Sequence, residues 1–496
     1  MSKIGIALVV VGLLVRLALY FPPALFTGDS DAVLSGLCAF RVAEGQYPVF
    51  FPGGTRLSAA SCYVAAGYFH FFGPGRVGLA LTGLTWGALY LIFSLLFLQA
   101  ILGRKSACVA FLFAIIPSEQ FMTVTYVPWG YGEIVASCAA TLWLAALWRK
   151  TGAPWQPVLF GLSVGLGIYF SFETLMVALP AIAWIALGRR SAVRREWLAA
   201  LAGAVVGAML FLAWNATHGF ASLTQNWASR PASGIAQAGE NFAWLATHAL
   251  PQLFFGSARW PETVLVVAYA IVALAFIIAM YRNANGSDYV YAPRQIGVLL
   301  LLILIASVSI FSFSQAGSIR GWTVRYIAPL YLAVPPFCAI GIQAMWRWSR
   351  ALCAATVAAV LIPNLVGYSL PGSSSRNELT ADLSDYNRVR QVLARHHIQM
   401  VYGDYFLVYH LNFDSGERIA GVPSAPVVDY YDYGDRLGAS SVRWALLGDG
   451  DQLQQLVQTL RAHGTLIPAG DHLLFVANRA APNAAELIAT LRRSGT

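Results

Sequence analysis

Long apolar runs, each closed by a short polar or basic stretch, set the pattern of the first three-quarters of the chain. They fall at roughly 4–22, 77–102, 106–122, 131–148, 156–171, 174–188, 197–214, 262–281, 296–314, 326–346 and 351–369. A hydrocarbon core about 30 Å thick needs roughly 17 to 25 apolar residues per helix, so the runs predict about 11 transmembrane helices. The fifth and sixth runs are short, which leaves open a helical hairpin that does not cross fully and does not change the parity. Lys3 precedes the first run as it would in a signal peptide. That run is long, is interrupted by Arg16 and lacks a clear small-residue cleavage site, so it reads as the first anchor.

The polar positions between the runs give the orientation. Arg104 and Lys105, Arg149 and Lys150, the cluster Arg189, Arg190, Arg194 and Arg195, then Arg282 and Arg294, then Arg347 and Arg350 make every second loop basic. Cytoplasmic loops collect Lys and Arg, so these loops and the N-terminus are expected in the cytoplasm and the tail on the opposite side. Counting residues 57–72, LSAASCYVAAGYFHFF, as a crossing inverts every later loop. They are read instead as an interfacial helix with an aromatic belt, His70 included. The expected organisation is a transmembrane domain over 1–369 and an outer domain over 370–496. The first outer loop spans 22–76 and a second long one 215–261, with shorter ones near 117–131 and 315–325. Long loops are where function concentrates.

In the tail the period changes. Residues 382–396 and 451–463 have helical spacing, while MVYGDYFLVYHLNF at 400–413, VRWALLG at 442–448 and HLLFVANR at 472–479 look like strands. A compact α/β domain follows. It contains no nucleotide fingerprint, and the GDG at 448–450 is an ordinary turn signal.

Composition sharpens this. The chain is 58% hydrophobic and 11% charged, against roughly 25% charged residues in soluble domains, which excludes a soluble enzyme. The net charge of +9 divides unevenly: residues 1–369 hold 21 Lys and Arg against 10 Asp and Glu, whereas the tail holds 11 Arg against 13 acids. The basicity belongs to the membrane part, where topology alone accounts for it, and no nucleic-acid partner is implied. All six cysteines precede residue 354, so no disulfide is expected within the tail, and no Cys and His spacing resembles a zinc site.

Eight acids of the membrane part lie on its outer side or at outer helix ends: Asp29, Asp31, Glu44, Glu119, Glu133, Glu173, Glu240 and Glu262. Carboxylates near a bilayer stay hydrated, find a partner or line a cavity. GDSD at 28–31 puts Asp29 and Asp31 at the mouth of the bundle, where a carboxylate can take the proton of an attacking hydroxyl; the alternative is a helix cap. In SIRGWTVRYIAPL, Arg320 and Arg325 sit at the outer mouth of the tenth span. The planar guanidinium fork matches phosphate oxygens, the alternative being snorkelling to headgroups. Glu133 in WGYGE and Glu119 after Pro117 are candidates to position an acceptor, with helix-end solvation as the alternative. Arg16, near the outer end of the first span, pairs with a first-loop carboxylate or snorkels. Arg56 in the first outer loop and Tyr326 beside Arg325 complete the candidate substrate-binding set.

The order of these parts resembles the GT-C superfamily of glycosyltransferases, specifically the bacterial relatives of protein O-mannosyltransferases and lipid A aminoarabinose transferases. Four segments carry the resemblance: DAVLSGLCAFRVAEGQYPVFF from Asp31 to Phe51, AAGYFHFFGPGRVGLALTGLTWGAL, IIPSEQFMTVTYVPWGYGE, and TVRYIAPLYLAVPP, which is similar to the family's Arg-Tyr-x-x-Pro signature. The resemblance runs through residues 1–350 and weakly into the tail. It places Asp31 on the family's catalytic base, with Asp29 its neighbour and Ala32 where relatives have a second acid. It places Glu133 where relatives have an acid entering the fourth span, and it supports Arg325 as a phosphate contact.

The resemblance implies an inverting transfer from a polyprenyl-phosphate sugar to an acceptor, whether glycan, lipid or protein, at the periplasmic face of a bacterial inner membrane. Membrane lipids and the lipid-linked donor are the expected partners. A monophosphate leaving group carries less charge than a pyrophosphate, so arginines can replace a divalent metal and no obligatory metal is expected. Two other readings fit many spans and outer charge: a lipid or glycan transporter or flippase, and a polymerase or ligase using pyrophosphate-linked glycans. Transporters often carry internal repeats, and no clear repeat is evident here.

Overall fold

The computed structural model describes residues 3–24, 30–189, 194–224, 231–255, 262–281, 289–318, 324–367, 386–423, 431, 444–449, 464–469 and 472–477. Helices follow in the order α1 (Lys3–Ala24), α2 (Ser30–Ala43), α3 (Ala60–Phe72), α4 (Arg76–Leu102), α5 (Arg104–Ile115), α6 (Glu119–Tyr126), α7 (Tyr131–Thr151), α8 (Trp155–Phe170), α9 (Leu175–Gly188), α10 (Arg194–Gly207), α11 (Met209–Thr217), α12 (Ala221–Thr224), α13 (Ile235–Trp244), α14 (Leu250–Phe255), α15 (Glu262–Tyr281), α16 (Pro293–Ser312), α17 (Val324–Ile327), α18 (Val334–Trp346) and α19 (Arg350–Gly367). Helix α20 covers 386–395 and α21 covers Tyr405–Asp414. The strands are β1 (Met400–Gly403), β2 (Ala420–Pro423), β3 (Trp444–Asp449), β4 (Gly464–Ala469) and β5 (His472–Ala477). The chain divides into two compact units, one of residues 1–22, 54–61 and 82–373, the other of 23–53, 62–81 and 374–496.

The first unit is a membrane-type helical bundle, and each of the 11 apolar runs coincides with a helix or a bent helix pair. Among the described residues, four helices, over Arg76–Leu102, Tyr131–Thr151, Pro293–Ser312 and Val324–Trp346, are by themselves long and apolar enough to cross a membrane, and up to six spans result if each bent pair counts as one. The third run is one such pair: α5 and α6 meet at 80°. Pro117 supplies no N–H, and Ser118 restarts the helix by accepting the Phe121 N–H on its hydroxyl. The other pair, α10 and α11, bends by 61°.

The short fifth and sixth runs do not form a hairpin of two helices laid together. α8 packs on α7 and α10, whereas α9 packs on α7 and α16. The seam between α8 and α10 is built from two small-residue pairs four apart, Gly161 and Gly165 on one helix and Gly203 and Gly207 on the other. A Cβ at Gly161 or Gly165 runs into the carbonyl of Ala200 or Ala204, and one at Gly203 or Gly207 into that of Val158 or Leu162. Where no hydrophobic effect drives helices together, such backbone proximity lets dispersion do so.

The second unit carries a five-stranded sheet in the order β2-β1-β3-β5-β4, parallel from β2 to β3 and antiparallel through β5 and β4. The expected long strand over 400–413 is only β1; from Tyr405 the chain is helical. Asp404 ends the extended run, and its carbonyl accepts the N–H groups of Leu407 and Val408. Parallel β1 and β2 also need a crossover between them, and α21 is that crossover. The expected helix over 451–463 lies outside the described residues.

This unit also includes the first-loop helix α2, which lies along α21. A Cβ at Gly36 would collide with the Phe413 ring, and Phe40 stacks on Phe413 at 5.4 Å between centroids. Arg41 pairs with Glu417, and the Tyr431 hydroxyl donates to the Leu34 carbonyl. On α3 and the start of α4 the unit gains two further ties. Cys38 and Cys62 form a disulfide. Arg76 grips Asp414 through Nε to Oδ1 at 3.0 Å and Nη2 to Oδ2 at 2.7 Å.

Candidate functional site

Gly130 adopts φ 101°, a conformation open to glycine without strain, and turns the chain sharply into α7 so that Trp129, Tyr131 and Glu133 enter the first unit together. Glu133 is fully buried. Its Oε1 accepts the Ser58 hydroxyl at 2.8 Å and its Oε2 the Ser61 hydroxyl at 2.6 Å, while the Trp86 indole N–H donates to Ser61 Oγ at 3.0 Å. The Ser58 N–H also donates to the Phe170 carbonyl. The carboxylate thus anchors residues 58–61 to the bundle.

That anchor places Arg56. Its Nη2 donates to the Tyr131 hydroxyl at 2.6 Å, and its guanidinium carbon lies 4.8 Å from the Tyr326 ring centroid and 5.8 Å from that of Tyr131. Arg325 lies 5.0 Å from the Tyr326 ring and 5.9 Å from the Tyr131 ring, with the Trp129 ring at 5.4 Å, and donates from Nη2 to the Tyr326 hydroxyl at 3.0 Å. Two guanidinium groups therefore share the same two tyrosines. Glu173, 4.0 Å from Arg56 Nη1, is the carboxylate that faces them, and its Oε2 accepts the Ser171 hydroxyl. Burial works against the Arg56 charge, but the Tyr131 and Tyr326 oxygens and Glu173 outweigh it and hold the group above its ordinary range.

Among the described residues, the Arg56 and Arg325 guanidiniums with Glu173 beside them form a cradle whose planar forks and hydroxyls suit a phosphate group. Sequence reasoning had singled out Arg56, Arg325 and Tyr326, and the structure brings them together. It missed Tyr131, Ser58, Ser61 and Ser171; a tyrosine next to the glycine of WGYGE was the available signal.

The other candidates fall elsewhere. Arg16 is fully buried and does not snorkel: it lies over the Tyr90 ring at 5.2 Å with Nη1 3.1 Å from the Met122 sulfur. Glu119 opens α6, and its carbonyl accepts the Thr123 hydroxyl. Asp31 belongs to the second unit, in the first turn of α2, where its Oδ1 accepts the Tyr405 hydroxyl at 2.8 Å. Asp29 and Arg320 lie outside the described residues. Among the described residues no three His, Cys, Asp or Glu side chains gather as a metal site.

The chain shares its fold with two kinds of solved protein. The chain is similar in structure to ArnT from Cupriavidus metallidurans bound to undecaprenyl phosphate, with a TM-score of 0.66 at 14% identity over 97% of this chain and 100% of that one. It is similar also to the Archaeoglobus fulgidus oligosaccharyltransferase in complex with Zn and sulfate, with a TM-score of 0.51 at 13% identity over 95% of this chain and 73% of that one. The same oligosaccharyltransferase tethered to an acceptor peptide gives 0.51 at 12% identity over 97% and 74%. No family model and no curated protein matches the sequence.

Proposed function

We propose that this protein is an inverting glycosyltransferase that moves a sugar from a polyprenyl-phosphate donor to an acceptor hydroxyl of a glycan, lipid or protein at the periplasmic face of the inner membrane. The observation that carries the reading is the pair of guanidiniums, Arg56 and Arg325, held on the rings of Tyr131 and Tyr326 in a chain with the GT-C fold. The neighbour ArnT was crystallised with undecaprenyl phosphate, which is the chemistry such a cradle suits.

In this reading Asp31 takes the proton of the acceptor hydroxyl, whose oxygen bonds to the anomeric carbon. The bond from that carbon to the phosphate oxygen breaks, its electron pair stays on the phosphate, and the configuration inverts. Arg325 and Arg56, with Arg320 as a further candidate, hold the phosphate and stabilise the charge that develops on it. Glu133 acts by fixing the loop that carries Arg56. Glu119 and Arg16 shape the bundle around that loop.

The topology that goes with this reading has about 11 crossings, a cytoplasmic N-terminus and a periplasmic tail domain. The Cys38–Cys62 disulfide supports it, since disulfides persist in oxidising compartments. The test is to incubate purified protein with a panel of polyprenyl-phosphate sugars and follow released polyprenyl phosphate, alongside Asp31→Asn. Release that Asp31→Asn abolishes while donor binding persists supports transfer. Lipid movement across vesicles without release, unchanged in Asp31→Asn, overturns it in favour of a flippase.

A further inference from the structure

The backbone on either side of the Arg56–Glu173 contact is fixed. The Ser58 N–H donates to the Phe170 carbonyl at 3.1 Å, which joins the loop of Arg56 to the end of α8. Past that point Ser171 ends the helix in an extended conformation. The Thr174 hydroxyl donates to the Ser171 carbonyl at 2.8 Å, and the Ser171 hydroxyl donates to Glu173 Oε2 at 3.0 Å. The other carboxylate oxygen, Oε1, is turned to Arg56 and lies 4.0 Å from Nη1. This is an ion pair without a hydrogen bond. Among the described residues Arg56 Nη1 is buried and has no hydrogen-bond acceptor, whereas Nη2 donates to the Tyr131 hydroxyl.

A buried guanidinium N–H without an acceptor is a favourable place for a phosphate oxygen, and it is the same nitrogen that Glu173 faces. The two anions therefore compete for Arg56. The competition is unequal for the two lipids of the reaction. The phosphodiester of a polyprenyl-phosphate sugar carries a single negative charge, whereas transfer leaves a phosphomonoester, which carries about −1.5 to −2 near pH 7. Guanidinium forks hold the monoester more tightly than the diester, so arginines without a counter-charge retain the product. We infer that Glu173 is a positioning residue for Arg56 that drives product release: its carboxylate repels the more highly charged monoester and draws Nη1 back as polyprenyl phosphate leaves. The inference rests on the proposed binding of the lipid phosphate by Arg56 and Arg325.

The test is Glu173→Gln in the full-length protein, with Glu173→Ala as a second variant and the thermal midpoint in detergent as the folding control. Undecaprenyl phosphate and its methyl diester are the binding probes, and transfer from a polyprenyl-phosphate sugar is followed in single- and multiple-turnover modes. Both variants should bind undecaprenyl phosphate about tenfold more tightly and the diester nearly as before. Steady-state kcat should fall by about the same factor after a burst of product, with the single-turnover rate unchanged. The factor is far below the roughly thousandfold that two unit charges about 4 Å apart exert at an effective dielectric of about 20, because solvent reaches part of the carboxylate. Unchanged or weaker binding of undecaprenyl phosphate, unchanged steady-state turnover, or a single-turnover rate that falls with kcat overturns the inference. A wild-type preference of about tenfold or more for the monoester over the diester does so without any variant. Wild-type affinity for undecaprenyl phosphate in both Arg56→Gln and Arg325→Lys overturns the phosphate cradle beneath it, and identifies that reading as the failure.

Discussion

The Arg76–Asp414 pair offers the most direct measure of how firmly the second unit is assembled. Asp414 accepts both arms of the Arg76 fork and, on Oδ2, the Tyr386 hydroxyl at 2.6 Å, while Arg76 Nη2 also meets His410 Nδ1 at 2.9 Å. The Arg76 and Asp414 side chains are 20% and 12% exposed. Removing one partner of a buried pair costs about 3–5 kcal/mol, and the residual solvent access lowers this to about 2–3 kcal/mol. At about 1.4 kcal/mol per factor of ten, Asp414→Asn should speed hydrogen exchange of the α21 amides by roughly 30- to 150-fold, measured by mass spectrometry in detergent at neutral pH. Arg76→Gln should give a similar factor, and the double variant much less than their product. An increase below threefold in Asp414→Asn, or full additivity, would refute the reading.

The pH dependence of the same contact has a definite sign. Burial alone would raise the Asp414 carboxyl, but the Arg76 hydrogen bonds and charge outweigh it and hold it below the usual carboxylate range. A depressed acid contributes stability that is complete above its unfolded value, about 3.9, and is lost as pH falls through the folded value; α21 protection should therefore be flat from neutrality to about pH 5 and drop below pH 4, and Asp414→Asn should remove that drop. Cys38→Ser with Cys62→Ser should destabilise the unit by about 3–4 kcal/mol, the loop entropy released by a crosslink over a 24-residue separation, and non-reducing peptide mapping should recover the crosslinked pair from wild-type protein. Gly203→Val, which forces a side chain into the Val158 carbonyl, should cost about 1–3 kcal/mol or more and lower the thermal midpoint of the detergent-solubilised protein, whereas Gly239→Ala, with open space around it, should not. Arg325→Lys should weaken binding of undecaprenyl phosphate by about tenfold or more, because an ammonium lacks the planar fork; unchanged affinity in a direct binding assay would count against the phosphate cradle.

The bundle was legible because each span is a local event. A run such as RVGLALTGLTWGALYLIFSLLFLQAIL declares its helix without reference to any other part of the chain. Where a feature depended on two runs meeting, the sequence was silent. The paired small residues of α8 and α10 lie in separate runs, and nothing in either announces the partner. The tail failed for a different reason. YFLVYHLNFD is apolar on every face, with Val408, Tyr409, Leu411 and Phe413 all buried, so neither a period of two nor one of 3.6 stands out. Short β2 and β4, with their glycines and prolines, gave no strand signal and form only because β1 and β5 provide edges.

The candidate site divides in the same way. Arg325 and Tyr326 are neighbours in one motif and were visible together, whereas the partner that gives them a shared geometry, Arg56, comes from a loop closed by Ser58 and Ser61 on Glu133. That closure accounts for the acid in WGYGE better than substrate contact does, since both its oxygens are already committed to hydroxyls. The disulfide is the one long-range tie that the sequence did contain. Under the positive-inside orientation, Cys38 and Cys62 are the two cysteines of the outer loops, while Cys108, Cys138, Cys338 and Cys353 sit in or beside spans. Topology and redox chemistry together would have singled out that pair, and with it the joining of the first loop's helices. A helix that has Asp31 in its first turn and is pinned midway needs a partner along its remaining face. The rings and charges of α21 and the residues that follow it are that partner.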